Sequence, residues 1–468
     1  MFKMFAGLSH VHFVGIGGAG MSGIAEVLLD YDIEVSGCDQ ARSATTRRLE
    51  RLGVKVFQGH SPDHLAGVDL VVKSSAISDQ NEEIRAARER GITVIRRAEM
   101  LGELMRLKYG IAIAGTHGKT TTTSLIGTLL TECGLDPTVI VGGRMRVSGT
   151  GARVGRSNYL VAEADEFDRS FLRLMPILAI VTNIDLDHLD TYADLDAIRE
   201  AFLDFAGRVP FFGQVILCLD DANNQKILPH LASEHRVVTY GLSPQANLYA
   251  HDLEATPDGC RFSVTAAGEG LLGSIASPMP GSHNVRNALA AVAVGRALGL
   301  EFPRIAEALE SFGGVHRRFE RVGEWHGAAV IDDYAHHPTE VAATLDAARQ
   351  SFPKGRILAI FQPHLYSRTR DLCDDFASSL MAADSVIVSS IYASRESPIA
   401  GVSGEDVVAS ARLSGHRAIE YCTAWNDIPE QLAQASGADR PGEGDVILTL
   451  GAGDIYRLAR QLAEEGAP

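Results

Sequence analysis

The sequence predicts an α/β protein of three domains, each built on a mostly parallel sheet. Three observations carry this expectation. At 468 residues the chain is too long for one hydrophobic core. Short apolar runs alternate with helical patterns through the first hundred residues and again beyond residue 321. Between them, the apolar run of residues 111–114 turns through glycines into a Thr-rich helix start.

In the first segment, residues 10–14 read as a strand, 21–30 as a helix, and 33–36, 70–72 and 93–95 as further strands. The pattern restarts after residue 106, so the first domain is expected over 1–106. A second, over 107–320, has buried-looking strands at 111–114, 159–162, 178–181 and 215–217. It continues through an irregular β-rich insertion, 237–275, to a closing helix, 284–298. The third, 321–468, places strands at 329–331, 357–361, 385–389 and 446–449.

Forty-three Lys and Arg against 59 Asp and Glu give a net charge of −16. That balance argues against a nucleic-acid partner or an anionic membrane surface, and leaves room for an anionic nucleotide only in a locally positive pocket. No apolar run approaches the length of a membrane span, and the N-terminus lacks a signal-peptide core. The six cysteines are scattered without a Cys-x-x-Cys pair, which reads as reduced thiols of a cytoplasmic protein, neither a disulfide frame nor a zinc site.

Four motifs carry chemistry. Gly115-Thr116-His117-Gly118-Lys119-Thr120-Thr121 lets backbone N–H groups approach phosphate oxygens, adds a helix N-terminus and a cation, and offers a hydroxyl to Mg²⁺. Ile113 stands where the longer nucleotide loop wants glycine, so the match is to a shorter Gly-Thr-x-Gly-Lys-Thr loop. Gly15, Gly17, Gly18, Ala19 and Gly20 follow a strand, and Asp39 ends the next one; this layout suits a diphosphate, and NAD is one of several groups that carry it. Glu163, Asp165, Glu166 and Asp168 crowd a strand end, as a Mg²⁺ site or as a solvated acidic loop. Asp185, Asp187 and His188 repeat the arrangement at the next strand end, where a second metal and a structural histidine compete.

Downstream, Asn284 and Asn287 lie three apart on one helical face, with carboxamides able to read an adenine edge. Arg317, Arg318 and Asp333 follow, and a planar guanidinium suits phosphoryl charge. His364, Arg368 and Arg370 succeed a strongly apolar strand, where an open sheet places its ligands.

With these residues assembled, the chain resembles the Mur ligases, the ATP-dependent amide-forming enzymes of peptidoglycan synthesis. The likeness runs nearly end to end, through 12–26, Gly115-Thr-His-Gly-Lys-Thr, Glu163-Ala-Asp-Glu, Thr182-Asn-Ile-Asp, His283-Asn-x-x-Asn, Arg318-Phe, Asp333-Tyr-Ala-His-His-Pro and Gly451-Ala-Gly-Asp. The first string is characteristic of the family's alanine-adding branch. The resemblance implies an N-terminal Rossmann-like domain for a UDP-sugar, a central P-loop ATPase and a C-terminal Rossmann-like domain. It implies UDP-N-acetylmuramate and L-alanine as substrates, with a murein-tripeptide ligase of cell-wall recycling as the alternative, and a monomer or homodimer without membrane insertion.

By carry-over, the residues from Gly15 to Gly20 would face the UDP diphosphate, with Asp39, Ser74 and Ser75 nearby. Lys119 would hold the β- and γ-phosphates of ATP, Thr120 and Glu163 one Mg²⁺, and His188 a second. Asn284 and Asn287 would flank adenine, Asp333 would bind the ribose and Arg318 the γ-phosphate. Tyr334, His336, His364 and Arg368 would lie near the amino acid. Many relatives carry Arg where this chain has Leu365, which removes a possible carboxylate contact.

Overall fold

The computed structural model describes residues 7–74, 76–142, 151–187, 191–394, 396–434 and 440–466. Three sheets organise them into the α/β, mostly parallel architecture that the alternating pattern predicts. The N-terminal sheet contains β1 (His10–Val14), β2 (Glu34–Asp39), β3 (Lys55–Gln58), β4 (Leu70–Lys73) and β5 (Thr93–Arg96). All are parallel, in the order β3-β2-β1-β4-β5. Strand order reverses between β1 and β4, and an open parallel sheet leaves its ligand crevice at such a point.

The central sheet contains β6 (Tyr109–Ala114), β7 (Thr138–Ile140), β8 (Ala152–Arg153), β9 (Tyr159–Glu163) and β10 (Leu178–Val181). It continues with β11 (Gln214–Cys218), β12 (Val237–Gly241), β13 (Leu248–Thr256), β14 (Gly259–Ala266) and β15 (Gly270–Ser277). The order is β15-β14-β13-β12-β11-β10-β6-β9-β7-β8. Register decides what surrounds the phosphate loop: Ile113 of β6 pairs with Glu163 on one side and Ile180 on the other. The loop after β6 therefore leaves the sheet between the acidic end of β9 and Thr182.

The C-terminal sheet contains β16 (Glu320–Trp325), β17 (Ala328–Asp333), β18 (Ile357–Phe361), β19 (Ser385–Ser389), β20 (Ile419–Cys422) and β21 (Val446–Leu450). Its order is β16-β17-β21-β18-β19-β20, with the β16–β17 hairpin antiparallel. Alternation along β17 sends Ala329 and Ile331 to one core, with Leu345 and Phe376, and Ala328 and Val330 to another, with Ile455 and Leu462. A sheet covered on both faces explains why its strands read as unbroken apolar runs.

By contact the chain divides into two compact units, 1–251 with 263–275 and 286–313, and 252–262 with 276–285 and 314–468. Within the first, one apolar core runs from Val11 and Phe13 to Ala112, Val181 and Phe205. Each large side chain so buried contributes about 1.5–3 kcal/mol, so the N-terminal sheet and strands β6, β9, β10 and β11 share one core. No described helix is long and apolar enough to cross a membrane.

Candidate functional site

The phosphate loop is shaped by two residues with positive φ, Gly115 at 138° and Gly118 at 83°. A side chain at Gly115 would strike Thr182, and one at Gly118 would meet Asn287 Oδ1 at 2.8 Å, so space as well as backbone demands glycine. Gly118 caps the helix Lys119–Glu132, whose first N–H groups consequently face the loop. The Thr182-Asn183 pair braces it from β10: the Thr182 hydroxyl donates to His117 O (2.7 Å), and the His117 N–H donates to Asn183 Oδ1 (2.8 Å). His117 Nε2 also lies 3.4 Å from Asp185.

Lys119 Nζ donates to Gly115 O at 2.6 Å and to both oxygens of Glu166 at 2.9 and 2.8 Å. Burial depresses the ammonium, and Glu166, Asp165 and Glu163 outweigh it, so Lys119 is held above its ordinary pKa. Glu163 goes the opposite way. Burial pushes its carboxyl up, opposed by hydrogen bonds from the Thr120 hydroxyl and the Gly142 N–H. Its Oε1 is buried and makes no hydrogen bond. An orphaned carboxylate oxygen beside a hydroxyl is an all-oxygen donor set, the chemistry that a hard divalent cation needs.

In the N-terminal sheet, the N–H groups of Gly15 and Ile16 both donate to Cys38 O at 2.9 and 3.0 Å. Gly17 N–H donates to Asp39 Oδ2 at 2.8 Å, so Asp39 closes the glycine turn itself. Ser74 N–H donates to Val14 O, setting the end of β4 beside the turn. Ala19 and Gly20 open the helix Ala19–Asp30. Ser75 and His188 lie outside the described residues.

A cavity of about 40 Å³ lies between the glycine turn and the acidic end of β9, with Gly20, Arg97, Gly142, Glu163 and Asp165 in its wall. Arg97 reaches to 3.7 Å from Asp165. Arg97 belongs to none of the four motifs; its signal in the sequence is an arginine pair directly after an apolar strand, at the ligand edge of an open sheet. A second opening of about 510 Å³ shares Ala98 and Ser170 with the first and is lined by Arg96, Arg106, Arg169, Arg173 and Arg208. Glu99 and Asp168 offset two of these five charges, which leaves the opening locally positive in a chain of net charge −16.

The two asparagines are engaged locally. Asn287 Oδ1 accepts from the Thr122 hydroxyl at 3.1 Å, and Asn284 Nδ2 donates to Pro280 O at 2.7 Å.

In the second unit, the adjacent arginines divide. Arg317 donates to Asp332 Oδ2 (3.1 Å) and to the carbonyls of Gly451 (2.5 Å) and Gly453 (3.1 Å), between the rings of Tyr334 and Tyr456. Arg318 lies over Tyr334, and Glu340 is 3.8 Å from it. Both oxygens of Asp333 accept backbone N–H groups, from Phe319 and Ala335. His364 stacks on Tyr392, meets His336 edge to face at 5.7 Å, and accepts from Arg368 Nη1 at 3.4 Å. The fold thus gathers Tyr334, His336, His364 and Arg368 at the C-terminal ends of β17 and β18. Leu365 beside them has φ 70°, a conformation unfavourable for a branched side chain.

Three family models match: "Mur ligase family, catalytic domain" over residues 10–109, "Mur ligase middle domain" over 113–295, and "Mur ligase, glutamate ligase domain" over 317–453. A UDP-N-acetylmuramate–L-alanine ligase of Salinibacter ruber is 50% identical over 458 residues, 98% of this chain and 95% of its own. That of Solibacter usitatus is 50% identical over 463 residues, 99% and 96% of the two chains. Among solved structures, the UDP-N-acetylmuramate-alanine ligase MurC of Thermotoga maritima superposes with a TM-score of 0.79 at 31% identity, covering 97% of this chain and 98% of its own. A murein peptide ligase of Psychrobacter arcticus gives 0.67 at 25%, covering 98% and 99%.

Proposed function

The chain belongs to the Mur ligase family, and from that premise we propose that it joins L-alanine to the lactyl carboxylate of UDP-N-acetylmuramate, with ATP cleaved to ADP and phosphate. The product, UDP-N-acetylmuramoyl-L-alanine, is a peptidoglycan precursor. Free thiols and dependence on ATP fit a cytoplasmic setting. The observation that carries the reading is the convergence of the Gly20 turn, Arg97 and Glu163 on one cavity, with Glu163 in turn accepting from the Thr120 hydroxyl of the phosphate loop.

The carboxylate oxygen attacks the γ-phosphorus, the bond to ADP breaks, and an acyl phosphate forms. The neutral amine of L-alanine attacks its carbonyl, the tetrahedral adduct expels phosphate, and the amine proton passes to solvent. Two anions meet in the first step, so cations decide the rate. Lys119 and the loop N–H groups take the β- and γ-phosphates, and Arg318 takes charge developing on the transferring group. Gly15 to Gly20 hold the UDP diphosphate, with Ser74 at the edge, and Asp39 keeps their turn closed. Asn284 and Asn287 border the adenine, and Asp333 the ribose. Tyr334, His336, His364 and Arg368 orient the amino acid. Thr120 and Glu163 suit Mg²⁺, which when bound supplies further neutralisation of phosphate charge. Boundaries near 106 and 320 divide these tasks among sugar, ATP and amino-acid domains.

The test is phosphate release from ATP by the purified protein with Mg²⁺, UDP-N-acetylmuramate and a panel of amino acids. L-Alanine should be favoured over glycine, serine and the tripeptide L-Ala-γ-D-Glu-diaminopimelate, and Lys119→Ala should remove release that requires both substrates. Preference for the tripeptide, or near-normal turnover in that variant, would overturn the proposal.

A further inference from the structure

The N-terminal sheet buries a group of side chains for which the ligase reaction has no use. His12 of β1, Cys38 of β2, His64 on the turn Pro62–Leu65 and Glu83 in the helix Glu82–Glu89 each direct one ligand-type atom to a common point, all within 4.8 Å of one another. His12, Cys38 and Glu83 are fully shielded from solvent, and His64 is 13% exposed.

The protons of the neighbouring residues single out His12. Gly67 O can only accept, so His10 Nδ1, at 3.2 Å, donates to it. In the neutral form of the ring, His10 Nε2 then accepts from the Ser36 hydroxyl, at 2.7 Å. With that proton committed, Ser36 Oγ can only accept from His12 Nδ1, at 2.8 Å. The chain fixes the tautomer, leaving His12 Nε2 with a bare lone pair. That atom is buried and has no hydrogen-bond partner within 3.5 Å. Facing it at 3.7 Å is Glu83 Oε1, another lone-pair donor. Two such atoms opposed in a dry interior repel unless a cation lies between them.

The rest of the shell converges on the same carboxylate. Cys38 Sγ is 2.8 Å from Glu83 Oε2, and His64 Nδ1 is 2.5 Å from Oε1. Stacking on Phe57, at 4.0 Å between centroids, fixes the His64 ring. We propose that His12 Nε2, Cys38 Sγ, His64 Nδ1 and Glu83 form a zinc-binding site in the N-terminal domain. Two imidazoles, a thiolate and a carboxylate are a borderline-soft set that suits Zn²⁺ and not Mg²⁺. Tetrahedral bonds to zinc place ligand atoms about 3.3–3.8 Å apart, a spacing that the His12–Glu83 pair already has. The thiol and carboxylate separate modestly when a shared hydrogen is replaced by two bonds to metal. Coordination releases the Cys38 thiol proton to solvent and moves the His64 ring hydrogen from Nδ1 to Nε2, with no change of oxidation state. Ser36 holds the far nitrogen of His12, as a partner behind a metal ligand does.

Spacing along the chain conceals this site, because its donors come from four separate segments and only one is a cysteine. Its position gives it a consequence: Cys38 O receives both Gly15 N–H and Ile16 N–H, so zinc would stiffen the glycine turn from behind. That consequence rests on the sugar-binding reading; the site itself does not.

The test uses the full-length chain, stripped with chelator and titrated with CoCl₂ or ZnCl₂ in the absence of nucleotides. One cobalt per chain should bind, with a near-ultraviolet thiolate-to-cobalt band and visible bands of tetrahedral strength that zinc bleaches. Cys38→Ser should lose the near-ultraviolet band. His64→Asn, at the rim of the site, should keep the native circular dichroism and weaken zinc by at least about tenfold. A wild-type titration without the thiolate band would overturn the proposal, as would zinc affinity unchanged in both variants, which would locate the metal elsewhere.

Discussion

Lys119 Nζ lies 2.9 and 2.8 Å from the two oxygens of Glu166, and Tyr192 fixes that residue from behind by donating to its carbonyl at 2.7 Å. The glutamate is 1% exposed. It therefore does two things to the lysine, holding it charged against burial and aiming it at the loop. Glu166→Gln keeps the shape and removes the charge. Burial then dominates, so the lysine loses its proton at lower pH than in the wild type. The alkaline limb of kcat/KM for ATP should move to lower pH, and turnover should fall roughly tenfold as the ammonium loses its fixed position. An unmoved limb would show that Glu166 does not set the charge of Lys119.

Glu163 couples function to instability. Its folded pKa is raised by burial, so the ionised form carries a cost that is absent well below pH 4.5 and grows as pH rises. Glu163→Gln should stabilise the protein by about 1 kcal/mol at neutral pH, with the gain vanishing near pH 4. The same variant should lose about a hundredfold in turnover and need more Mg²⁺ for half-maximal rate. Thermal melts at the two pH values and a Mg²⁺ titration check this; a less stable variant at pH 7.5 would contradict it.

The phosphate loop was legible in the sequence because its demands are local: a strand, glycines where φ is positive, a lysine and a helix. The partner of Lys119 was not. Four carboxylates lie between residues 163 and 168, and only the turn after β9 decides that Glu166, not Glu163, meets the ammonium. The adjacent Arg317 and Arg318 are chemically identical in sequence, and the Gly451–Gly453 carbonyls that separate them come from the loop after β21, more than a hundred residues away. The strands β7 and β8, three and two residues long, are too short to show alternation. Apolar periodicity located the first two sheets but not the shared core, since a strand's pattern says that it is buried and not against what.

Arg317 and Arg318 should separate stability from catalysis. Arg317→Ala strands the buried Asp332 and three nearby carbonyls, and should destabilise by about 3–5 kcal/mol. Arg318→Ala removes a more exposed guanidinium that lies 3.8 Å from Glu340 and leaves no carbonyl stranded, so stability should fall by less than in Arg317→Ala. Its turnover should fall by about a hundredfold or more. Urea unfolding beside steady-state kinetics decides this, and the opposite assignment of the two losses would exchange the roles.

Asp333 gives the second unit a pH signature. Burial pushes its carboxyl from 3.8 up to about 6, opposed by Arg318 and by the N–H groups of Phe319 and Ala335. Below 3.8 the group is protonated in both states and costs nothing. Between 3.8 and about 6 only the unfolded chain ionises, so stability falls as pH rises. The full cost above that window is (6 − 3.8) × 1.36, on the order of 3 kcal/mol. Asp333→Asn cannot ionise, but its amide can accept only one of the two N–H groups and turns a donor toward the other. The variant should therefore be the less stable protein near pH 4.5 and gain on the wild type as pH rises to 8, by (6 − 4.5) × 1.36, about 2 kcal/mol. Urea unfolding of both proteins across that range measures the difference. A gap independent of pH would mean that Asp333 is ionised throughout and that its two backbone bonds outweigh burial.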